Sequence, residues 1–199
     1  MSSFWVGKNV RLRPFTSEDW QTMLRWGEES ASIRNLEMIR PPFNEQVAQQ
    51  RMSALAGCDN EGSDAVTLVI ETLEGEVIGT VGGQKVDRRN GVFYPSLGIA
   101  EPRYQRKGLG GEALALILRY YFGELNYQKC QAIVYSFNDK SLEFCRKFGF
   151  VDEGRMRSTV YSHGQYYDGC IVGLTKNEFF THVLPRFEEN WPYRYGEEH

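Results

Sequence analysis

Leu97-Gly98-Ile99-Ala100-Glu101-Pro102-Arg103-Tyr104-Gln105-Arg106-Lys107-Gly108-Leu109-Gly110-Gly111-Glu112-Ala113-Leu114 is the stretch that decides how the chain is read. Its first residues have the character of a strand that ends near Ala100. Pro102 then removes a backbone donor and stops ladder pairing. Gly108, Gly110 and Gly111 follow, just ahead of a helical pattern from Glu112 to Phe122. Glycine lets backbone N–H groups approach a ligand with no Cβ in the way. The first N–H groups of a helix have no internal partner and sit at the positive end of its dipole. A strand–loop–helix of this build is an anion site. Arg103, Arg106 and Lys107 make the only dense cationic patch of the sequence, too small for a duplex but sufficient for a phosphorylated cofactor.

Two other readings compete. A glycine-rich turn with surface cations has the same appearance, because short glycine motifs match by chance. Gly108-x-Gly110-x-x-Ala113 also fits the dinucleotide fingerprint, which belongs in a βαβ unit with an acid about 20 residues on, at the end of the next strand. Here the motif follows an antiparallel meander, and Cys130-Gln131-Ala132-Ile133-Val134-Tyr135 contains no acid. A phosphate loop of the Gly-Lys-Ser/Thr type is absent.

Working outward, Val10 to Phe15 alternates like a half-buried strand, and Thr16 or Ser17 offers an N-cap to a helix carrying Trp20, Met23, Leu24 and Trp26. Pro41-Pro42 breaks the chain, and Asn44 caps a second helix to about Ala56. Gly57 to Asp64 reads as a loop. Val66 to Thr72, Glu76 to Val86 and Val92 to Ala100 are strands separated by turns at Glu74-Gly75 and Asp87 to Gly91. Beyond the glycine stretch come a strand at Gln131 to Ser136 and a helix at Asp139 to Lys147. Val151 to Tyr161 and Tyr166 to Leu174 then pair around His163-Gly164, and a closing helix starts at Lys176. Helices segregate from the meander, so the predicted class is α+β: a mixed, mostly antiparallel central sheet of about seven strands with helices on both faces.

At 199 residues, 41% hydrophobic and 25% charged, the chain is predicted to be a single domain spanning 1–199, with a core at about 10–180 and an aromatic tail at 181–199. A net charge of −3 argues against a nucleic-acid partner. Cys58, Cys130, Cys145 and Cys170 show no C-x-x-C pair and no histidine at ligand spacing, so no metal is expected. Met1 to Lys8 lacks the pattern of an export signal, and no apolar run approaches the ~18–20 residues of a membrane span. The expectation is a cytoplasmic protein with reduced thiols and no membrane partner. The sequence leaves open a homodimer to which the aromatic tail, with Trp191, Tyr193 and Tyr195, contributes; nothing in one sequence fixes the oligomeric state.

Three motifs together resemble a known family. Gln105-x-x-Gly108-x-Gly110 is similar to the Q/R-x-x-G-x-G/A signature of the Gcn5-related N-acetyltransferase (GNAT) superfamily. Asn138-x-x-Ser141-x-x-x-Cys145-x-x-x-Gly149-Phe150, then Glu153-Gly154, resembles the family's N-x-x-A/S-x-x-x-Y-x-x-x-G-F helix. Gly164-x-x-Tyr167-Asp168, with Gly173-Leu174 and Glu178-Phe179, looks like its RimJ/RimL branch. The resemblance covers Val10 to about Phe180. It implies acetyl-CoA as cosubstrate, with the acetyl and pantetheine end against the backbone of Leu97, Gly98, Ile99 and Ala100. The diphosphate would lie on the amides of Gln105, Arg106, Lys107, Gly108, Leu109, Gly110 and Gly111, and Asn138 would lie near the pantetheine arm. It further implies strands splayed into a V, freeing a backbone N–H that polarises the thioester, a preorganised oxyanion donor.

The implied reaction is attack of a neutral primary amine on that thioester. The leaving thiol, with a pKa of ~8.5 if it is cysteine-like, departs with little help. The family's acid is often a Tyr where this chain has Cys145, so Ser141, one helical turn earlier, is the candidate acid and Cys145 the second. Glu101 and His163 are bases by residue type only, Asp168 a hairpin anchor and Glu112 a carboxylate suited to its helix dipole. The acceptor is expected over Trp26, Arg34, Met38 and Tyr161; it is a peptide N-terminal α-amine, a polyamine or a small-molecule amine. The alternative is a non-catalytic acyl-CoA sensor on the same fold.

Overall fold

The structure is a computed structural model that describes residues 3–28, 41–56 and 64–196. β1 (Val10–Arg13) leads through a short turn to α1 (Trp20–Glu28), followed by α2 (Glu45–Ala56). The Thr16 N–H donates to Asp19 Oδ2 at 2.8 Å, and Asn44 Oδ1 accepts from the Val47 N–H at 3.0 Å, each closing a helix start with a side chain. β2 (Val66–Thr72), β3 (Val77–Asp87) and β4 (Val92–Ile99) form the meander. Then follow α3 (Leu109–Arg119), β5 (Lys129–Tyr135), α4 (Asp139–Phe148), β6 (Val151–Ser162) and β7 (Gln165–Thr175). The closing helix is broken into α5 (Lys176–Glu178), a wide turn at Phe179–Val183 and α6 (Pro185–Glu188).

The seven strands form one sheet in the order β1-β2-β3-β4-β5-β7-β6, antiparallel at every step except β4–β5. Alternation along β2 assigns the two faces. Leu68 and Ile70 join the main core with α3, whereas Val69 packs with Phe15 of the β1–α1 link and Met52 of α2. Helices α3 and α4 therefore cover one face and α1–α2 the other. The His163-Gly164 turn has φ of 51° and 79°, the positive pair that a tight hairpin demands.

α3 begins at Leu109, earlier than the sequence pattern indicates. Gly110 and Gly111 are poor helix formers, but their bareness brings the helix close to its neighbours. A Cβ on Gly110 would lie 3.4 Å from Ile99 Cγ1, and one on Gly111 3.4 Å from Phe187 Cζ. β1 stops at Arg13 because Pro14 has no N–H to pair.

The aromatic tail is used inside the chain. Trp191 is buried, and Tyr195 packs on Phe180. The fully buried Arg119, at the C-terminus of α3, places its guanidinium 4.2 Å from the Phe4 ring, 4.6 Å from Trp191 and 5.5 Å from Tyr193. It donates to the Phe4 and Tyr193 carbonyls and lies 3.7 Å from Glu188. Burial pushes its pKa down to about 10, so it is still charged at neutral pH. These contacts fold the tail back onto the core of its own chain. Among the described residues no helix is long and apolar enough to cross a membrane, and no group of His, Cys, Asp or Glu has a metal-holding arrangement.

Candidate active site

The sheet splits between β4 and β5. Only Val92↔Lys129 and Phe93↔Cys130 pair, while β3 holds β4 as far as Ile99 and β7 holds β5 as far as Tyr135. Each strand stays with its antiparallel partner, and the two halves diverge into a wedge. The Ala100 N–H donates to the Ile78 carbonyl at 2.9 Å. Antiparallel alternation then turns the backbone groups of Gly98 and Ser96 toward β3, and those of Pro95, Leu97 and Ile99 toward β5. Pro95 offers no N–H there, and the Leu97 and Ile99 N–H groups line the open edge. Tyr94 to Ala100 are accordingly only half-buried although β4 is the middle strand of seven.

The cradle adjoins this wedge. Gly108 caps α3 with φ of 84°, Arg106 has φ of 60°, and Gln105 to Gly108 are exposed. The first helical bond runs from the Glu112 N–H to the Gly108 carbonyl at 3.1 Å. The Leu109, Gly110 and Gly111 N–H groups thus have no acceptor within the helix. A Cβ added at Gly108 would meet nothing within 4 Å, so open space lies over these amides. Gln105 Nε2 donates to the Ile99 carbonyl at 2.9 Å, tying loop to wedge. A diphosphate with an extended arm fits this arrangement: amides for the anion, a strand edge for the arm. Glu112 does not face it; this carboxylate is buried and accepts from the Asn9 N–H at 2.9 Å and Asn9 Nδ2 at 2.8 Å. Its task is to anchor the N-terminal segment.

At the other rim Asn138 caps α4, its Oδ1 accepting from the Ser141 N–H at 3.1 Å. The half-buried Ser141 stands one helical turn before the buried thiol of Cys145. Burial pushes that thiol up to about 11, so it is protonated and packed in the main core at neutral pH. On the exposed side of α4, Lys147 Nζ donates to Glu143 Oε1 at 2.7 Å and lowers that carboxyl.

On the α1 face, Trp26 Nε1 donates to Glu101 Oε1 at 2.9 Å, and Arg25 forms an ion pair with the same oxygen. Both of the sequence's guesses, Trp26 as acceptor contact and Glu101 as base, thus meet in one cluster just past the end of β4. Across the wedge, Phe137 lies 5.5 Å from Tyr135, 4.8 Å from Tyr167 and 5.7 Å from His163. Phe137 and Tyr135 were not singled out from sequence; the available signal was two aromatics at the C-terminal end of the strand that leads to Asn138. Tyr161 pairs with Tyr166, one position out of phase with Tyr167, which puts it on the opposite face of the hairpin from Phe137. His163 bonds Ser162 Oγ at 3.0 Å at the exposed hairpin tip. Asp168 is the anchor expected, accepting from the Ser158 N–H at 2.8 Å and from Arg155 Nε at 2.6 Å. Arg34 and Met38 lie outside the described residues.

Comparison with known proteins agrees with this geometry. Residues 9–151 match the family model described as an acetyltransferase (GNAT) domain. The chain is 30% identical over 177 residues to the SPbeta prophage-derived uncharacterized N-acetyltransferase YokL of Bacillus subtilis, covering 89% of this chain and 96% of that one. The spermidine N(1)-acetyltransferase of Escherichia coli K12 is 40% identical over 88 residues, 44% of this chain and 47% of its own. In fold, spermidine N-acetyltransferase from Vibrio cholerae, solved with CoA and spermine, superposes with a TM-score of 0.74 at 18% identity, over 86% of this chain and 98% of its own. A family model over most of the chain, a relative aligned along nearly its whole length, and a splayed sheet beside an amide cradle converge: the chain belongs to the acetyltransferase (GNAT) family of N-acetyltransferases.

Proposed function

We propose that the protein transfers the acetyl group of acetyl-CoA to a primary amine that enters from the α1 face. The observation that carries this is the open edge of β4, with the Leu97 and Ile99 N–H groups unpaired by β5, next to the free amides of Leu109, Gly110 and Gly111. That adjacency supports a diphosphate on Gln105 to Gly111 and a thioester along Leu97 to Ala100. An N–H of the β4 edge supplies the hydrogen bond that strengthens as the carbonyl oxygen gains charge. Ser141, at the cofactor-side rim with Asn138, donates the proton to the leaving thiolate. Cys145 is a core residue, since a buried thiol at about 11 is a poor acid near neutrality. We assign the acceptor to cationic amines of the polyamine class or to a peptide N-terminus, the latter being the reading that the RimJ/RimL-like hairpin favours. The protein works in the cytoplasm as one domain.

Thiol release from acetyl-CoA against a panel of amines, run beside calorimetric titration with CoA, tests the reading. Binding with turnover on at least one amine supports it. Tight binding with no turnover on any amine selects the sensor alternative, which the replacement of Tyr by Cys145 favours. No binding overturns both.

A further inference from the structure

Glu101 follows the end of β4 by two residues, just past the open edge at Ile99. Its partners come from α1, so it faces the acceptor side and not the cradle. The two partners differ in kind. Trp26 Nε1 fixes one carboxylate oxygen at 2.9 Å from a half-buried ring. The Arg25 side chain is 62% exposed, whereas Glu101 is 15% exposed. An ion pair with so exposed a guanidinium contributes little and exchanges readily, while the carboxylate it covers is largely removed from solvent. The neighbouring Glu76 is committed to Arg103 and the Tyr104 hydroxyl, and Asp168 to Arg155 and Ser158. Past the end of β5, on the other half of the split sheet, Phe137 packs against Tyr167, and aromatic faces also favour a cation.

We infer that Glu101, held by Trp26, is the specificity-determining residue of the acceptor site, selecting acceptors with a second cationic centre that displaces Arg25 from its carboxylate. The inference rests on the proposed acetyl transfer. Arg25 acts as a surrogate cation: it occupies the carboxylate until the acceptor's second ammonium replaces it, and an acceptor with one amine leaves the pair intact. Trp26 keeps the carboxylate oriented through the exchange.

The test is steady-state thiol release by the full chain with n-butylamine and with 1,4-diaminobutane, equal in carbon count and different by one charge. Wild type is expected to show the higher kcat/KM on the diamine. Glu101→Gln keeps an acceptor for Trp26 and should lower kcat/KM on the diamine about tenfold more than on butylamine, the effect of losing one charge-assisted hydrogen bond. Arg25→Gln should lower KM for the diamine severalfold more than for butylamine, and it carries the test even if the Glu101 variant does not fold. Equal changes on both amines in both variants would make Glu101 a structural latch and overturn the inference, with acetyl transfer intact. Turnover on no amine would instead overturn the transferase reading beneath it.

Discussion

Gly108 and Gly110 lie in the same cradle, yet the structure assigns them different reasons for being glycine, and alanine substitution separates them. Gly108 has φ of 84° and open space where a Cβ would stand. Gly108→Ala meets no steric clash but holds an L-residue in the left-handed region, at roughly 1–2 kcal/mol. For a protein of this length that corresponds to a Tm loss of about 2–8 °C. Gly110 is helical, and its added Cβ would sit 3.4 Å from Ile99 Cγ1. There alanine gains up to ~1 kcal/mol of helix propensity, offset in part by that contact, so Tm should stay level or rise. Binding should diverge further. The Gly108 methyl group enters the space over the free amides, and displacing the diphosphate from one of them removes a charge-assisted bond of ~1.5–3 kcal/mol. The loss in CoA affinity is then about 10- to 150-fold, whereas Gly110→Ala should bind within about threefold of wild type. Differential scanning calorimetry and calorimetric titration with CoA measure both quantities. A Gly108→Ala protein that melts and binds like wild type, or a Gly110→Ala protein that loses CoA, would refute the reasoning.

Ser141→Ala should lower kcat about tenfold or more in thiol-release assays, whereas Cys145→Ala should alter stability and leave turnover within about twofold, because the thiol is buried and protonated. Arg119→Met leaves the Phe4 and Tyr193 carbonyls without their donor; at ~1–3 kcal/mol each, a Tm drop of about 5–20 °C and faster proteolysis of the tail are expected by thermal melts and limited digestion. Burial would raise the Asp19 and Glu71 carboxyls, but hydrogen bonds from Arg13 and Arg11 outweigh it and lower them below their ordinary 3.8 and 4.5. Folded values below unfolded ones mean that this stabilisation is present above about pH 5 and lost as pH falls through the folded values. Urea midpoints measured from pH 7 to pH 3 should decline, and Arg13→Gln should flatten that decline.

How much was legible in the sequence follows from which features are local. The α+β class, the seven strands, the Asn44 cap and the His163-Gly164 hairpin were all readable, because alternation, capping and turn chemistry act within a few residues. The free amides at the start of α3 were readable for the same reason: a glycine before a helix leaves them free wherever that helix packs. Local signals failed where glycine served packing, so α3 begins at Leu109 and not Glu112, and where chain ends pack back onto the core. Trp191 and Tyr193 of the tail, with Phe4 of the N-terminal segment, pack around Arg119 of the same chain, a contact no local pattern announces. Only the tertiary structure decided that β4 parts from β5 after Phe93, since that depends on β3 and β7 each holding one strand. Likewise only folding brought Arg25 and Trp26 to Glu101, 76 and 75 residues away. Contacts across such separations depend on how the sheet and its helices assemble, which no short window of residues encodes.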